Sequence, residues 1–359
     1  MDHVSQQTDT ELLLQWYDAQ RRILPWREDP TPYHVWISEI MLQQTRVDAV
    51  IPYYERFLAA LPDVKALAEA DEEVCLKLWE GLGYYSRVRN MHKAARQIME
   101  EYDGQIPGTS AQLQKLSGIG RYTSEAIASI AFGEAVPSVD GNLLRVFARR
   151  TEYEGNIKSP QALRDAEAFY SERISPDRPG DYNQAVMDLG ATICLPNGEP
   201  LCEECPWNRL CQAHSAGTEL CYPVVPPKKA RAVSQHTAIL LRYGDLVLLE
   251  QRPEDGLLSG LPGFPMLDGH RSEAELASVI SSAGSGFQVR ERKSYRHIFS
   301  HREWEMQIME ILCSSREEFD AATEILFPRI RTMTADVSEI FNRYSIPTAF
   351  RPCVQYLQK

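Results

Sequence analysis

No stretch of this chain is long and apolar enough to cross a bilayer as a helix. Its apolar runs, such as Ala238-Ile239-Leu240-Leu241, fall far short of the about 20 residues a span needs. Met1–Thr10 is polar and acidic and lacks the apolar centre of a secretory leader, so the expected compartment is the cytosol. Positive charge is scarce as well. The 38 Lys+Arg against 50 Asp+Glu give a net charge of −12, which by itself argues against a nucleic-acid partner. The deficit is uneven, however. Met1–Cys221 holds 21 basic and 33 acidic residues, whereas Tyr222–Lys359 holds 17 of each. Gly81–Met99 carries Arg87, Arg89, Lys93 and Arg96 with no acid, which leaves room for a local basic face on an acidic body. There is no internal repeat. With 43% hydrophobic and 25% charged residues over 359 positions, the composition is globular and the length suggests two domains or three.

Periodicity divides the chain. From about Thr8 to Thr218 the pattern is helical: Pro32 precedes a run from Tyr33 to about Val47, and Pro52, Pro62, Pro107 and Pro137 punctuate further helices. Tyr222–Gln235, rich in proline and charge, is predicted as a stiff linker. Beyond it the period becomes strand-like. His236–Leu241 and Asp245–Gln251 flank a turn, Ser272–Ser281 suits a helix, Ile308–Cys313 another strand and Val337–Tyr344 a last helix. The expected domains are therefore residues 1–221, all-α, and 236–359, α+β.

Two motifs bear chemistry on their own terms. Leu116-Ser117-Gly118-Ile119-Gly120-Arg121-Tyr122-Thr123 joins two helical patterns through Gly118 and Gly120, which permit a tight hairpin of about 110–131 with φ > 0. A helix beginning there would offer N–H groups to a phosphate, while an ordinary helix–helix turn is the plainer alternative. The second motif is a cysteine cluster. Of eight cysteines, Cys194, Cys202, Cys205 and Cys211 follow the spacing Cys-x7-Cys-x2-Cys-x5-Cys. In a cytosolic protein that spacing points to metal, either [4Fe–4S] or zinc. Cys75, Cys221, Cys313 and Cys353 are scattered and suit small packing residues.

The order of these motifs resembles the endonuclease III superfamily of DNA glycosylases, and within it the MutY adenine DNA glycosylases. The matching strings are Leu24-Pro25-Trp26-Arg27, Trp36–Thr45, Trp79–Arg87, Val139-Asp140-Gly141-Asn142 and Asn183–Gly190. The resemblance implies an all-α helix-hairpin-helix domain with an iron–sulfur loop, plus a C-terminal α+β Nudix-like domain. It implies excision of adenine paired with 8-oxoguanine or guanine in double-stranded DNA, by a monomer of the bacterial cytoplasm acting on the nucleoid, with no membrane. The first cysteine interval is one residue longer than the family's usual spacing, an insertion that a surface loop tolerates at little cost. The implied cofactor is [4Fe–4S], with zinc the alternative.

Breaking an adenine N-glycosidic bond needs a protonated acid near the base and a carboxylate near the cationic sugar. Glu39, among Trp36, Ile37, Ile40 and Met41, is the candidate acid; a closed pocket would raise its pKa. Asp140 precedes a helix over Leu143–Arg150 and reads locally as an N-cap, whose N–H donors would keep it ionised. The resemblance makes it the sugar-stabilising carboxylate, helped by Asn142, with Tyr122 hydrogen-bonding near the reacting centre. Tyr122 stands where lyase relatives carry a Schiff-base lysine, and the nearest lysine, Lys115, precedes the turn. A monofunctional enzyme is therefore implied. Base flipping would be filled by Tyr84 and Gln44, with Arg27 on the flipped base. Gln43, Thr45, Arg87, Gly118, Gly120 and Gln184 complete the implied substrate and DNA contacts.

The C-terminal region lacks the Arg-Glu-x-x-Glu-Glu core of a magnesium-binding Nudix helix. Gly269–Gly286 contains only Glu273 and Glu275, so nucleotide hydrolysis is not expected. His297-Ile298-Phe299-Ser300-His301 resembles the family's 8-oxoguanine-recognising loop, with His297, Phe299, Ser300 and His301 as contacts; a polar turn is the plain alternative. Two rival functions remain. An endonuclease III-like lyase on oxidised pyrimidines is opposed by Tyr122 and the second domain. A noncatalytic lesion-binding protein is opposed by the presence of both Glu39 and Asp140.

Overall fold

The computed structural model describes residues 3–227 and 230–358. Helices come first: α1 (His3–Gln20), α2 (Pro25–Glu28), α3 (Pro32–Leu42), α4 (Val47–Ala60), α5 (Val64–Glu69), α6 (Glu72–Leu78), α7 (Ser86–Glu101), α8 (Ser110–Leu113), α9 (Arg121–Phe132), α10 (Gly141–Arg150), α11 (Pro160–Ser171), α12 (Pro179–Thr192) and α13 (Gln212–Ala216). Then come β1 (Ala232–Tyr243), β2 (Leu246–Gln251), β3 (Pro262–Gly263), β4 (Met266–Asp268), α14 (Glu273–Val279), β5 (Gln288–Ile298), β6 (Arg302–Leu312), α15 (Arg316–Leu326), β7 (Thr332–Asp336), α16 (Val337–Asn342) and α17 (Arg351–Val354). None of the described helices is long and apolar enough to cross a membrane.

The chain forms two compact units, Met1–Ala70 with Ser86–Pro227, and Asp71–Tyr85 with Lys228–Lys359. The expected first domain, 1–221, made no provision for Asp71–Tyr85. Long-range polar bonds tie that segment into the second unit: Lys77 Nζ donates to Tyr344 O at 3.0 Å, Ile346 N donates to Glu80 Oε1 at 3.0 Å, and Arg343 pairs with Glu73 at 3.0 Å. The expected linker over 222–235 also shortens, because β1 starts at Ala232; its Lys228 and Lys229 lie outside the described residues.

In the first unit, α1, α10, α11 and α12 close over Leu13, Tyr17, Leu143, Phe147, Tyr170, Tyr182 and Leu189, with Trp207 from the cysteine loop plugged into the same core. In the second, the sheet runs β3-β2-β1-β6-β5, with β4 pairing β1 and β7 pairing β2. The β1–β6 pair is parallel. Side chains of β1 alternate between two buried layers, Ala238 and Leu240 on one face, Ile239 and Leu241 on the other. Burial on both faces is why that strand reads as an unbroken apolar run.

Candidate active site and thiol loop

Helix α3 is the spine of the site. Thr31 caps it, accepting from His34 N at 3.2 Å, and Pro32 occupies its first turn. Every residue from Val35 to Met41 is buried, so the helix is enclosed on all sides. It stops at Leu42 rather than near Val47, and the stop is imposed from elsewhere in the chain. The half-buried guanidinium of Arg87 donates through Nη1 to Ile40 O, Met41 O and Gln43 O at 2.7, 3.0 and 2.7 Å. Its Nη2 reaches Thr45 Oγ1 at 3.4 Å. Arg87, expected at DNA, thus has its guanidinium on the backbone that shapes the Gln43–Thr45 turn. Gln44 there adopts φ +57°, the left-handed region disfavoured for a residue with a Cβ.

A cavity of about 680 Å³ opens beside this turn. Among the residues lining it are Arg27, Glu39, Gln43, Gln44, Thr45, Tyr122, Asp140, Asn142, Gln184 and Met187. Five separate sequence motifs therefore converge on one space. Glu39 is only 6% exposed, and Tyr122 Oη donates to its Oε2 at 2.8 Å. Burial lifts the Glu39 carboxyl from 4.5 to about 7, helped by the negative charge of Asp140 and opposed by the Tyr122 hydroxyl and Arg27. Gln43 donates through Nε2 to Thr123 Oγ1 at 3.1 Å, pinning the end of α3 to α9.

Asp140 caps α10. Its Oδ1 accepts from Asn142 N and Leu143 N, both at 2.8 Å, and its Oδ2 from Asn142 Nδ2 at 2.7 Å. Burial nevertheless raises the Asp140 carboxyl above the ordinary value, against those donors and Arg145. The helix-start N–H groups expected to keep it ionised are in place and pull its pKa down, while desolvation sets the net direction. Asn142 is itself held, its Oδ1 accepting from Arg145 Nη2 at 2.9 Å. The same guanidinium reaches Cys194 O through Nε at 2.7 Å, so one side chain spans from the Asn142 amide to the thiol loop.

Asp188, 1% exposed, is the site residue that sequence reasoning missed. It lay in a quoted motif string without a role, because nothing local reveals an ion pair formed across 161 positions. Its carboxylate takes Arg27 Nη1 and Nη2 at 2.7 and 3.0 Å and Arg22 Nε at 2.7 Å. Burial pushes its pKa up, and the two guanidiniums more than reverse that. Arg27 Nε is buried without a partner among the described residues. Asp188→Asn would leave two cations without a counter-charge, an expected loss of about 3–5 kcal/mol in denaturant unfolding. Unbalanced Arg27 would also depress Glu39, so the alkaline limb of activity should move to lower pH.

In the hairpin between α8 and α9, Gly118 takes φ +75°, and a Cβ there would meet Asn90 Cβ at 2.5 Å. Glycine is therefore required twice over. Gly120 differs from expectation: it is the α9 N-cap at φ −82°, and an added Cβ would meet open space.

The four cysteines line one void with Arg149, Arg150 and Trp207. Arg149 Nη1 donates to Cys194 Sγ at 3.2 Å, and Cys211 Sγ to Arg149 O at 3.4 Å. Burial pushes the Cys202 thiol up to about 11 and Cys205 to about 12, so thiolates here call for a cation. The donor set fits a metal centre. A close trio of possible ligand atoms among the described residues is Cys202, His214 and Glu219, all within 4.8 Å of one another.

In the second unit Tyr84 is 48% exposed and, like Gln44, left-handed, at φ +49°. Phe299, Ser300 and His301 form the turn between β5 and β6, closed by Phe299 N donating to Arg302 O at 2.8 Å. Phe299 is clasped between His297 and Trp304, ring centroids 4.5 and 4.7 Å away, while Ser300 and His301 are exposed. Burial lowers the His297 pKa. Glu273 and Glu275 are both engaged, one accepting from Glu291 N and the other closing a capping box with Ser272, at 2.7 Å each.

A helical hairpin, a buried acid sharing its cavity with a second carboxyl, and a thiol loop give the first unit a helix-hairpin-helix architecture, joined to a Nudix-like second unit. Residues 37–171 match the HhH-GPD superfamily base excision DNA repair protein model and 236–356 the NUDIX domain model. The chain belongs to the adenine DNA glycosylase family. It is 33% identical to the adenine DNA glycosylase of Buchnera aphidicola subsp. Schizaphis graminum, over 81% of this chain and 84% of that protein. With the human adenine DNA glycosylase it shares 38% identity over 73% of this chain; it spans 58% of the human protein's length. Among solved structures, a thermostable thymine-DNA glycosylase superposes with a TM-score of 0.53 at 26% identity, covering 59% of this chain and 97% of that one.

Proposed function

We propose that this chain hydrolyses the N-glycosidic bond of adenine paired with 8-oxoguanine or guanine in duplex DNA, as a monofunctional glycosylase. The observation that carries the reading is Glu39. It is a buried carboxyl with a pKa near neutrality, held by Tyr122, facing the same cavity as Asp140. Protonated Glu39 gives its proton to a ring nitrogen of the extruded base, so the base leaves neutral. As the bond stretches the sugar becomes cationic, and the Asp140 carboxylate beneath it stabilises that charge. Asn142, fixed by Arg145, keeps the Asp140 carboxylate in register, and Arg27, which lines the same cavity, contacts the base. Gln44 and Tyr84 fill the vacated stack. Gln184, with Gln43 and Thr45, borders the bound nucleotide, while Gly118 and Gly120 let the hairpin backbone approach phosphate. His297, Phe299, Ser300 and His301 read the lesion opposite, Ser300 through the oxidised edge.

Cys194, Cys202, Cys205 and Cys211 would hold a [4Fe–4S] cluster, which would tie the 202–211 loop to Cys194 just beyond α12. Purified protein is expected to carry about four irons and a broad visible absorbance, both lost in Cys205→Ala; stoichiometric zinc instead would overturn this assignment. The proposed setting is a cytoplasmic monomer on DNA.

The direct test is a duplex with adenine opposite 8-oxoguanine, incubated and then treated with alkali. Cleavage at the adenine only after alkali is the expected result. An intact strand would sink the reading, and a high yield of borohydride-trapped adduct would replace it with the lyase. Activity should also fall about tenfold per pH unit above pH 7, since the acid must be protonated and its pKa is about 7. Single-turnover rates between pH 6 and 9 check this.

A further inference from the structure

We propose that Met187 is a site of reversible oxidation that disables the catalytic cavity; the activity arm of its test rests on the function proposed above. Helix α12 sets the Met187 thioether in the cavity wall, half-buried, with Sδ 4.0 Å from Tyr122 Oη. That hydroxyl is the one that donates to Glu39 at 2.8 Å. Met41, Met91, Met306 and Met309, by contrast, are sealed in the cores.

A thioether sulfur is a weak acceptor, so the single proton of Tyr122 goes to Glu39. A peroxide entering the cavity changes that. The sulfur lone pair attacks the outer peroxide oxygen, an S–O bond forms and the O–O bond breaks. Sulfur gives up two electrons, and the departing oxygen takes up the peroxide's protons and leaves as water. The product is a sulfoxide, polar and chiral where the wall was apolar and pliable. Its oxygen is a strong acceptor facing a hydroxyl that was already within van der Waals reach of the sulfur. Tyr122 must then divide one O–H between the sulfoxide and Glu39, and the new oxygen stands in space that a planar base needs. Because sulfoxide reductases return the thioether, the inactivation is reversible.

Full-length protein and a Met187→Leu variant, each measured against its own untreated rate, are exposed to hydrogen peroxide. They are then analysed by peptide mass spectrometry and by adenine release from the 8-oxoguanine duplex. Sulfoxide is expected at Met187 ahead of Met41, Met306 and Met309. The rate of the unaltered protein should fall roughly tenfold, the worth of about one hydrogen bond in the transition state, and recover after treatment with both epimer-specific reductases. Met187→Leu should keep its rate. Visible absorbance followed in both proteins separates damage at the thiol loop, which would affect them equally. Equal inactivation of the two proteins, or Met187 no faster than the sealed methionines, overturns the proposal. Untreated protein inactive on that duplex would sink the functional reading instead, and the order of sulfoxide formation would still decide whether the site exists.

Discussion

Glu39→Gln is expected to slow adenine release by about 10²–10⁴-fold, the range a positioned general acid contributes. The amide preserves the shape of the side chain and can still accept from Tyr122, so the loss isolates the proton. Stability supplies an independent readout. Folded Glu39 titrates at about 7 and its unperturbed counterpart at 4.5. Between those values folding takes up a proton, so this residue makes stability fall as pH rises through the window; below it the two states bind the same number of protons. Glu39→Gln should remove that slope, leaving the variant relatively more stable at pH 8 than at pH 5, as thermal unfolding at both values would reveal. A variant with full activity, or with activity lost only through unfolding, would remove the acid from the mechanism.

Asp140→Asn is the companion experiment, with an expected loss of about 10²–10³-fold, the scale of one preorganised electrostatic contact. Asparagine is as good a helix cap as aspartate, and its carbonyl can still accept from Asn142 N and Leu143 N. Folding should therefore be nearly unchanged while the negative charge under the sugar disappears. The two variants also differ in pH behaviour. Asp140→Asn removes a neighbour whose charge raises Glu39, so its residual activity should decline at a lower pH than that of the unaltered protein. Single-turnover kinetics across pH, with circular dichroism as the check on folding, distinguish charge from structure.

Much of this was legible in the sequence because it is written locally. Pro32 and Asp140 announce helix starts, Gly118 a turn, and the four cysteines a loop. The unread parts are those made by distant residues. The Tyr33–Val47 run reads as helical through Gln43–Arg46, whereas the turn found there is bonded by distant residues, Arg87 from 44 positions on and Thr123. Strand β5 was missed because, at the sheet edge, Arg290, Glu291, Arg292 and Lys293 present charge continuously instead of alternating. A bulge between Glu291 and Lys293 further shifts its register. For the site, Glu39 and Asp140 were named from motif resemblance, yet their meeting in one cavity, and the Asp188 anchor of two arginines, are tertiary facts without a local signature.

The left-handed backbone at Gln44 and Tyr84 carries a last implication. A non-glycine residue held there costs of order 1 kcal/mol or more. Selection for thermal endurance alone would install glycine at both places and gain by it. On the proposed function, keeping a glutamine and a tyrosine instead means the chain tolerates a poorer fold at two points in exchange for side chains that the double helix would need when a base is missing from its stack. Gln44→Gly and Tyr84→Gly should thus melt higher and bind damaged duplexes worse, a divergence that a stability screen would score as success.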